Sequence, residues 1–469
     1  MLAGGLGAPG WLVIAAALII VLAVGIVRPR MPARTSHKRG ALVLRARPWA
    51  PGRHRRRRAG DYRLFIGDVP VRAEDETKHF KLIGTTGTGK SSALYQLLRS
   101  ALQRGDRAVI ADPDTAYLSR FYDAYRGDVI LNPFERRAAS WDVFAEIRSA
   151  YDVDELARGL IPALEDATAR EWRAYARTFL CAVLRRCHEQ GTRDPGELWR
   201  LLAVATGDEL RRIVAGTPAQ PFLEPDNSRM FCSIRSVAVS AIAALEHVHA
   251  QRAVSFSVRS WVERGRGVLF MPYRAGQIAA LRSIIATWMR LAIFQVMSAA
   301  ENEDQRIWFV IDELDALGAI DGLKDALARL RKFGGRCALG FQSIAQVSST
   351  YGDGDAHTIV ENCGNTLILR CSGSEHGGTS QFASRLIGER EIVRRQRSQG
   401  RDREGWLSVR APRRSTQLNE QHATEMAVLA SELEQLPDLT GYLKTASSPE
   451  WRRIRLDGRT ALWRSIICM

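Results

Sequence analysis

The sequence contains no pair of cysteines spaced C-x-x-C and no internal repeat. Its seven cysteines are scattered and odd in number, so neither a zinc site nor a disulfide framework is predicted. We expect reduced thiols in a cytosolic body. Acidic residues are absent from residues 28–60, which hold twelve Arg and Lys, so most of the net charge of +16 lies there. Such a basic segment is typical of contact with nucleic acid or a membrane surface.

The remaining composition is that of an ordinary folded protein. Hydrophobic residues make up 46% and charged residues 25% of the chain, which excludes a disordered protein. A length of 469 residues is sufficient for two or three domains, each with its own hydrophobic core.

Residues 11–27 form an uninterrupted apolar run, and the ten residues before it carry no charged side chain. This length is near the lower limit for a helix that spans a bilayer. Arg28 and Arg30 follow, and the positive-inside rule then places the rest of the chain in the cytoplasm. The alternative is a cleaved signal peptide, which is disfavoured because a basic start and a small-residue cleavage site are missing. We predict one N-terminal transmembrane helix.

Short apolar runs alternate with helical segments on both sides of a long helical region. Seven such runs are typical of buried strands, at residues 79–83, 107–111, 128–131, 267–271, 307–313, 337–342 and 366–370. Between about 140 and 254, strand-like runs disappear and helical periodicity takes over. We therefore predict an α/β fold, in which an all-α domain is inserted into a parallel-sheet core.

A complete phosphate-loop motif follows the first of these strands. Residues 84–91 match G-x-x-x-x-G-K-[ST], where glycines let main-chain N–H groups approach phosphate oxygens and the following helix presents its N-terminus. Lys90 is predicted to reach the β- and γ-phosphates of ATP, and the Ser91 hydroxyl to ligate Mg²⁺. The predicted nucleotide-binding residues are Gly84, Thr85, Thr86, Gly87, Thr88, Gly89, Lys90, Ser91 and Ser92.

The run WFVIDE supplies the second half of the predicted site. Its apolar residues form a buried strand that carries Asp312 and Glu313 to the sheet edge where ligands bind. Asp312 suits the position that holds Mg²⁺, and Glu313 suits the general base that activates water. This pair favours hydrolysis over binding alone.

Two further polar residues end neighbouring strands. Gln342 could contact the γ-phosphate or the attacking water, or it could be an ordinary surface glutamine. Arg370 could act across a subunit boundary as an arginine finger, or it could simply form an ion pair.

With these motifs placed, the chain divides into six segments. We predict a transmembrane anchor at 1–30, a basic juxtamembrane linker at 31–60, a nucleotide-binding domain at 61–144 and 256–455, an all-α insertion at 145–255 and a C-terminal tail at 456–469. The linker contacts anionic headgroups or, alternatively, DNA phosphates. Residues 394–414 carry eight Arg and predict an exposed loop or hairpin, which is solvated or contacts DNA.

Several stretches resemble the type IV secretion coupling proteins of bacterial conjugation, the TraD-like family. They are IGTTGTGKSSALYQLL (83–98), RGDRAVIADPD (104–114), GDVILNPFERRAASWDVF (127–144), WFVIDELDAL (308–317), RKFGGRCALGFQSIAQ (331–346) and ASELEQLPDLTGYLK (430–444). The resemblance covers about residues 61–455 in the family's order.

This resemblance implies a RecA-like, membrane-anchored hexameric ATPase. Such a protein moves DNA, single-stranded and linked to a relaxase, from relaxosome proteins into a type IV secretion channel at the bacterial inner membrane. Gln342 matches the family's polar sensor position, and Arg370 lies where the family has a strand-end arginine.

Three departures accompany the resemblance. Family members usually have two membrane helices, whereas one is predicted here. The family often reads DPKGE after the second strand, whereas this sequence has DPDTA at 112–116, without the lysine. We also expect no acidic C-terminal tail of the kind that some members use to dock relaxosome proteins.

Other functions fit parts of the same pattern. A double-strand translocase of the FtsK/HerA type and a protein-secretion ATPase are alternatives within the RecA-like motors. A nucleotide-binding membrane adaptor without motor activity is an alternative of another class, and it would not need the intact pair Asp312 and Glu313.

Overall fold

The computed structural model describes residues 34–44, 63–163, 167–251, 253–375, 377–402 and 413–458. The predicted transmembrane segment lies outside this range. The chain divides into two compact units. Within the described residues, the larger unit comprises residues 41–388 and 426–458, and the smaller comprises residues 34–40 and 389–425.

Seventeen strands lie within the described residues. They are β1 (Arg34–Gly40), β2 (Leu42–Leu44), β3 (Leu64–Ile66), β4 (Val69–Val71), β5 (Phe80–Ile83), β6 (Arg107–Pro113), β7 (Val129–Ile130), β8 (Ser140–Trp141), β9 (Ser255–Phe256), β10 (Val268–Tyr273), β11 (Ile307–Ile311), β12 (Gly335–Phe341), β13 (Asn365–Ile368), β14 (Glu389–Asp402), β15 (Arg413–Met426), β16 (Thr440–Lys444) and β17 (Glu450–Arg455).

The same residues form sixteen α-helices. They are α1 (Ala73–Glu76), α2 (Lys90–Gln103), α3 (Leu118–Phe121), α4 (Ala150–Leu160), α5 (Ala167–Glu189), α6 (Pro195–Ala203), α7 (Gly207–Val214), α8 (Ser228–Ile242), α9 (Ala244–Ala250), α10 (Val258–Arg264), α11 (Ile278–Met297), α12 (Leu323–Arg329), α13 (Ile344–Tyr351), α14 (Asp353–Glu361), α15 (Gly378–Ile387) and α16 (Ala430–Glu434).

The larger unit is organised around a ten-stranded sheet with the order β2-β17-β16-β13-β5-β12-β11-β6-β10-β7. The strands from β13 to β7 run parallel, as predicted, and β16 joins β13 in the antiparallel direction. Phe309 packs in the core on one face, and its neighbours Trp308 and Val310 pack in the core on the other. Both faces are covered, which explains why these strands are continuous apolar runs.

The helical insertion leaves and rejoins the core at a short parallel bridge. β8 pairs with β9, and helices α4 to α9 lie between them along the chain. Among the described residues, α11 is long and apolar enough to cross a membrane, and a bent pair at Pro225–Ile242 and Ala244–Ala250 passes the same test. α11 is mostly buried against other helices, as a core helix would be.

Two segments differ from the sequence-based prediction. Residues 34–44, predicted as part of a linker, contain β1 and β2, and β2 completes the edge of the main sheet beside β17. The apolar residues 41–44 supply this strand, although Arg and Pro dominate the composition around them. β1, β14 and β15 form a separate three-stranded sheet, so the hairpin is not part of the nucleotide-binding domain. Within it, Arg394 and Arg395 are exposed and pair with Glu425 and Glu420.

Candidate active site

The phosphate loop lies between β5 and α2, at the carboxyl edge of the parallel sheet. Gly87 and Gly89 have φ of 77° and 118°, a conformation that disfavours residues with a side chain. A Cβ atom on Gly84 would lie 2.9 Å from Leu369 Cβ, so only glycine fits beside β13. The loop is tied to the sheet because Gly84 N donates to the Phe341 carbonyl at 3.3 Å.

Lys90 is buried at the start of α2. Its Nζ donates hydrogen bonds to the carbonyls of Gly84, at 2.6 Å, and Thr85, at 3.3 Å. Burial lowers the pKa of Lys90, and the nearby carboxylates of Asp312 and Glu313 oppose that shift. The ammonium group therefore already lies over the loop in which phosphate oxygens would be held.

Ser91 and Asp312 meet across the site although 221 positions separate them in sequence. Ser91 Oγ donates to Asp312 Oδ2 at 2.6 Å. Asp312 is 4% exposed, and its other oxygen, Oδ1, is buried without a hydrogen-bond partner in the described chain. A hydroxyl beside a carboxylate with a free oxygen is the donor set that Mg²⁺ prefers.

Glu313 and Gln342 are linked to the phosphate loop by a chain of hydrogen bonds. Gln342 Nε2 donates to Glu313 Oε1 at 3.0 Å, and Thr86 Oγ1 donates to Gln342 Oε1 at 2.9 Å. Burial raises the pKa of Glu313, the hydrogen bond from Gln342 opposes the shift, and the charge of Asp312 adds to it. A carboxylate with a raised pKa is a better acceptor for a proton from water.

Thr88 and Ser92 complete the predicted loop residues. Thr88 Oγ1 donates to the Thr85 carbonyl at 2.7 Å, which closes the turn from within. Ser92 is half-buried in the first turn of α2.

Arg370 contacts the phosphate loop through its main chain. Its carbonyl accepts a hydrogen bond from Thr85 N at 2.9 Å. Its guanidinium binds Asp438 Oδ1 at 2.7 Å and the Leu436 carbonyl at 3.4 Å. Within this chain the Arg370 side chain is thus engaged in an ion pair.

Two further residues lie at this edge that the sequence analysis did not single out. Tyr117, fully buried, donates from its hydroxyl to Asp312 Oδ2 at 2.9 Å. Asp112 accepts hydrogen bonds from the main-chain N–H groups of Tyr117 and Leu118. Asp112 could have been found as an acid that ends a strand, whereas no sequence signal marked Tyr117.

The fold and the site together define a P-loop NTPase. A phosphate loop and an Asp-Glu pair come from strands β5 and β11, which are separated by β12, whose end supplies Gln342. These side chains converge at one sheet edge, as the sequence analysis predicted for strand-end residues.

Comparison with known proteins identifies the family. Residues 63–457 match the family model for the DNA-binding domain of type IV secretion-system coupling proteins. The match covers most of the chain, so the protein belongs to this family.

Individual relatives agree with this assignment. The chain is 30% identical over 396 residues to the coupling protein TraD of Escherichia coli K12, and the match covers 82% of this chain and 53% of TraD. The chain thus spans about half the length of that relative.

Solved structures of the plasmid coupling protein TrwB have the same fold. TrwB in complex with ADP and Mg²⁺ is 29% identical, with a TM-score of 0.77 over 91% of this chain and 95% of TrwB. TrwB with the ATP analogue ADPNP is 30% identical, with a TM-score of 0.76 over 92% of this chain and 96% of TrwB. The predicted RecA-like core with an inserted helical domain is confirmed.

Proposed function

We propose that this protein is an ATPase that couples DNA to a type IV secretion system and moves it by ATP hydrolysis during conjugation. The observation that carries the proposal is the convergence of Lys90, Ser91, Asp312, Glu313 and Gln342 on one sheet edge. Family membership and the similarity to TrwB, which has been solved with ADP and Mg²⁺, support the same reading.

Phosphate binding would use groups that are already in place. When a triphosphate enters, main-chain N–H groups of the loop and the N-terminus of α2 face its oxygens. Lys90 Nζ then exchanges the carbonyls of Gly84 and Thr85 for the β- and γ-phosphates. Each exchange replaces a neutral acceptor by a charged one, which strengthens the hydrogen bond.

Ser91 and Asp312, which are already in contact, would hold Mg²⁺. When bound, the ion neutralises charge on the β- and γ-phosphate oxygens. Glu313 orients the attacking water and accepts its proton. Gln342 bridges Glu313 and Thr86, so it can report the state of the γ-phosphate to the general base.

For Arg370 we propose the ion-pair role in preference to the arginine finger. Its guanidinium binds Asp438 and the Leu436 carbonyl of the same chain, so contact with a neighbouring subunit's nucleotide would require that pair to open. A homohexamer, relaxosome proteins, the secretion channel and a single-pass anchor in the inner membrane complete the proposal. The hexamer and the partners rest on the family resemblance, whereas the single-pass anchor rests on the apolar run at residues 11–27.

Turnover of the detergent-solubilised protein tests the chemistry. We expect DNA-stimulated ATP hydrolysis, and Lys90→Ala and Glu313→Gln should each lower turnover by about a thousandfold or more. Lys324→Ala is the matched control, since Lys324 pairs with Asp355 at the surface and should leave turnover unchanged. Persistent hydrolysis in Lys90→Ala would remove the assigned site.

The stimulation of ATP hydrolysis by DNA tests whether hydrolysis is coupled to DNA binding. Contacts to the phosphate backbone release counterions, so we expect stimulation to fall steeply as salt rises. Single-stranded oligonucleotides should stimulate more than duplexes of the same length. A preference for duplex would favour a translocase of the FtsK/HerA type, and stimulation that is independent of salt would exclude DNA backbone as the activator.

A further inference from the structure

Tyr117 lies directly against the carboxylate proposed to hold the metal ion. Its hydroxyl donates to Asp312 Oδ2 at 2.9 Å, and Ser91 Oγ donates to the same oxygen at 2.6 Å. Oδ1 is buried and has no partner among the described residues. The two donors thus occupy one oxygen of Asp312 and leave the other free.

The position of Tyr117 is fixed by the turn that follows β6. Ala111 pairs with Ile311 in the parallel sheet, so Asp112 and Asp312 are the next residues on neighbouring strands. The Asp112 carboxylate accepts hydrogen bonds from Tyr117 N at 2.9 Å and from Leu118 N at 2.7 Å. Asp112 therefore holds the backbone that carries Tyr117 towards Asp312.

The same turn has an unfavourable backbone conformation. Asp114 and Thr115 have φ of 54° and 59°, in the left-handed region that glycine adopts easily and a β-branched residue rarely does. These are positions 3 and 4 of the DPDTA segment that departs from the family's DPKGE pattern. A strained turn persists only where the surrounding structure holds it, and such turns cluster at functional sites.

The ring of Tyr117 is also held in place, by packing. Tyr117 is 0% exposed, and its ring centroid lies 4.7 Å from that of Tyr95. Packing of the ring therefore holds the hydroxyl in its contact with Asp312. A rigid neutral donor can fix a carboxylate without competing for the ion.

We propose that Tyr117 is a positioning residue for the metal–nucleotide site, whose hydroxyl fixes the orientation of the Asp312 carboxylate that would hold the ion. This inference rests on the proposed nucleotide function and adds a residue to it. Partners that orient a metal ligand typically change metal affinity by about 10- to 100-fold when they are removed.

A purely structural role for the hydroxyl has a different consequence. If Tyr117 served only to satisfy the buried Asp312 oxygen, its loss would lower thermal stability and leave the dependence of nucleotide binding on Mg²⁺ unchanged. The two roles are separated by measuring binding with and without the ion.

The test uses the full-length protein and a fluorescent ADP analogue. Binding is titrated with Mg²⁺ at fixed analogue, and again in EDTA, for the parent protein, for Tyr117→Phe and for Tyr95→Phe as the control. Tyr117→Phe keeps the buried ring and removes only the hydroxyl, so the protein should remain folded and the Mg²⁺ dependence of binding decides between the two roles. Tyr95→Phe removes a hydroxyl from the adjoining ring, which does not bond to Asp312.

We expect Tyr117→Phe to raise the Mg²⁺ concentration for half-maximal binding about tenfold, with binding in EDTA unchanged. Tyr95→Phe should match the parent protein. An unchanged Mg²⁺ titration in Tyr117→Phe, or an equal loss of binding in EDTA, would overturn the positioning role while the proposed function stands. A parent protein whose nucleotide binding does not respond to Mg²⁺ would overturn both.

Discussion

The two edges of the parallel sheet differ in how their buried polar groups are paired. At the amino edge, Arg104 donates to both oxygens of Glu76, at 2.8 Å, and also binds Asp106. Arg336 donates to Glu76 at 3.2 Å, and Trp308 Nε1 donates to Asp106 at 2.9 Å. These charged groups are largely buried, and they satisfy one another.

At the carboxyl edge the polar groups are left incomplete. Asp312 Oδ1 and Asp315 Oδ1 are buried carboxylate oxygens without a partner in the described residues. Asp114, Thr115 and Leu439, three of the four non-glycine residues with positive φ in the described chain, also lie around this site. At the amino edge the carboxylates Glu76 and Asp106 are therefore fully paired, although Arg107 Nε nearby is buried without a partner in the described residues. The carboxyl edge instead retains unpaired carboxylate oxygens and strained backbone that a ligand can use.

Of the substitutions at the two edges, Glu76→Ala at the amino edge is expected to lower the free energy of unfolding most. The change leaves the guanidinium of Arg336 without its carboxylate partner and removes one of the two acids that bind Arg104. Removing one partner of a buried ion pair typically costs about 3–5 kcal/mol, so the free energy of unfolding should fall by that order. Urea denaturation measures it.

The control for this prediction is Glu74→Ala in the same short helix. Glu74 pairs with Arg72 at the surface, and both side chains are mostly exposed. Surface pairs contribute about 0–1 kcal/mol, so the control should be close to the parent protein. Equal effects of the two substitutions would contradict the view that the amino edge is a stabilising network.

Asp312→Asn, at the carboxyl edge, should not lower the free energy of unfolding. It removes a buried charge that has one unsatisfied oxygen, while an amide oxygen can still accept from Ser91 and Tyr117. We expect the free energy of unfolding without nucleotide to stay the same or to rise by about 1 kcal/mol. Binding of nucleotide in the presence of Mg²⁺ should fall at least tenfold, which is about 1.4 kcal/mol. A loss of stability as large as that of Glu76→Ala would remove the contrast between the edges.

The pH dependence of turnover tests the role of Glu313 at the carboxyl edge. Glu313 must be deprotonated to accept a proton, and burial raises its pKa, so activity should rise with pH through a midpoint above the ordinary value of 4.5. Gln342 donates a hydrogen bond that favours the charged form. In Gln342→Ala that support is lost, and the midpoint should move to still higher pH. Gln346→Ala, an exposed glutamine in α13, is the control.

Much of this edge could be predicted from the sequence because its elements are local. The phosphate loop is one continuous motif, and WFVIDE combines a buried strand with the acids that end it. Strand order could not be predicted, since it depends on how distant segments pair. Tyr117 was missed because it reaches Asp312 through a turn in which Asp114 and Thr115 have positive φ, which no sequence pattern signals. The network of Glu76, Arg104 and Arg336 likewise joins three separate elements.

The strands at 34–44 were missed for a different reason. The segment has the composition of a linker, and its four apolar residues, 41–44, are too few to outweigh the arginines and prolines around them. β2 is stable because β17 already offers an edge to pair with, and tertiary context of this kind commonly overrides local propensity.

The smallest effect on activity is expected from substitution of Arg370, which supports the phosphate loop from the neighbouring strand. Its carbonyl holds Thr85, its guanidinium binds Asp438, and Leu439 N in the same turn donates to the Thr88 carbonyl at 2.9 Å. The ion pair is only partly buried, so its loss should loosen the phosphate loop without removing a catalytic group.

We expect Arg370→Ala and Asp438→Ala each to raise the KM for ATP about threefold, with little change in kcat. The double variant should be no worse than either single change, since both break one contact. If Arg370 is instead an arginine finger, Arg370→Ala would abolish turnover while Asp438→Ala, which frees the guanidinium, would not, and this split in kcat decides between the two roles.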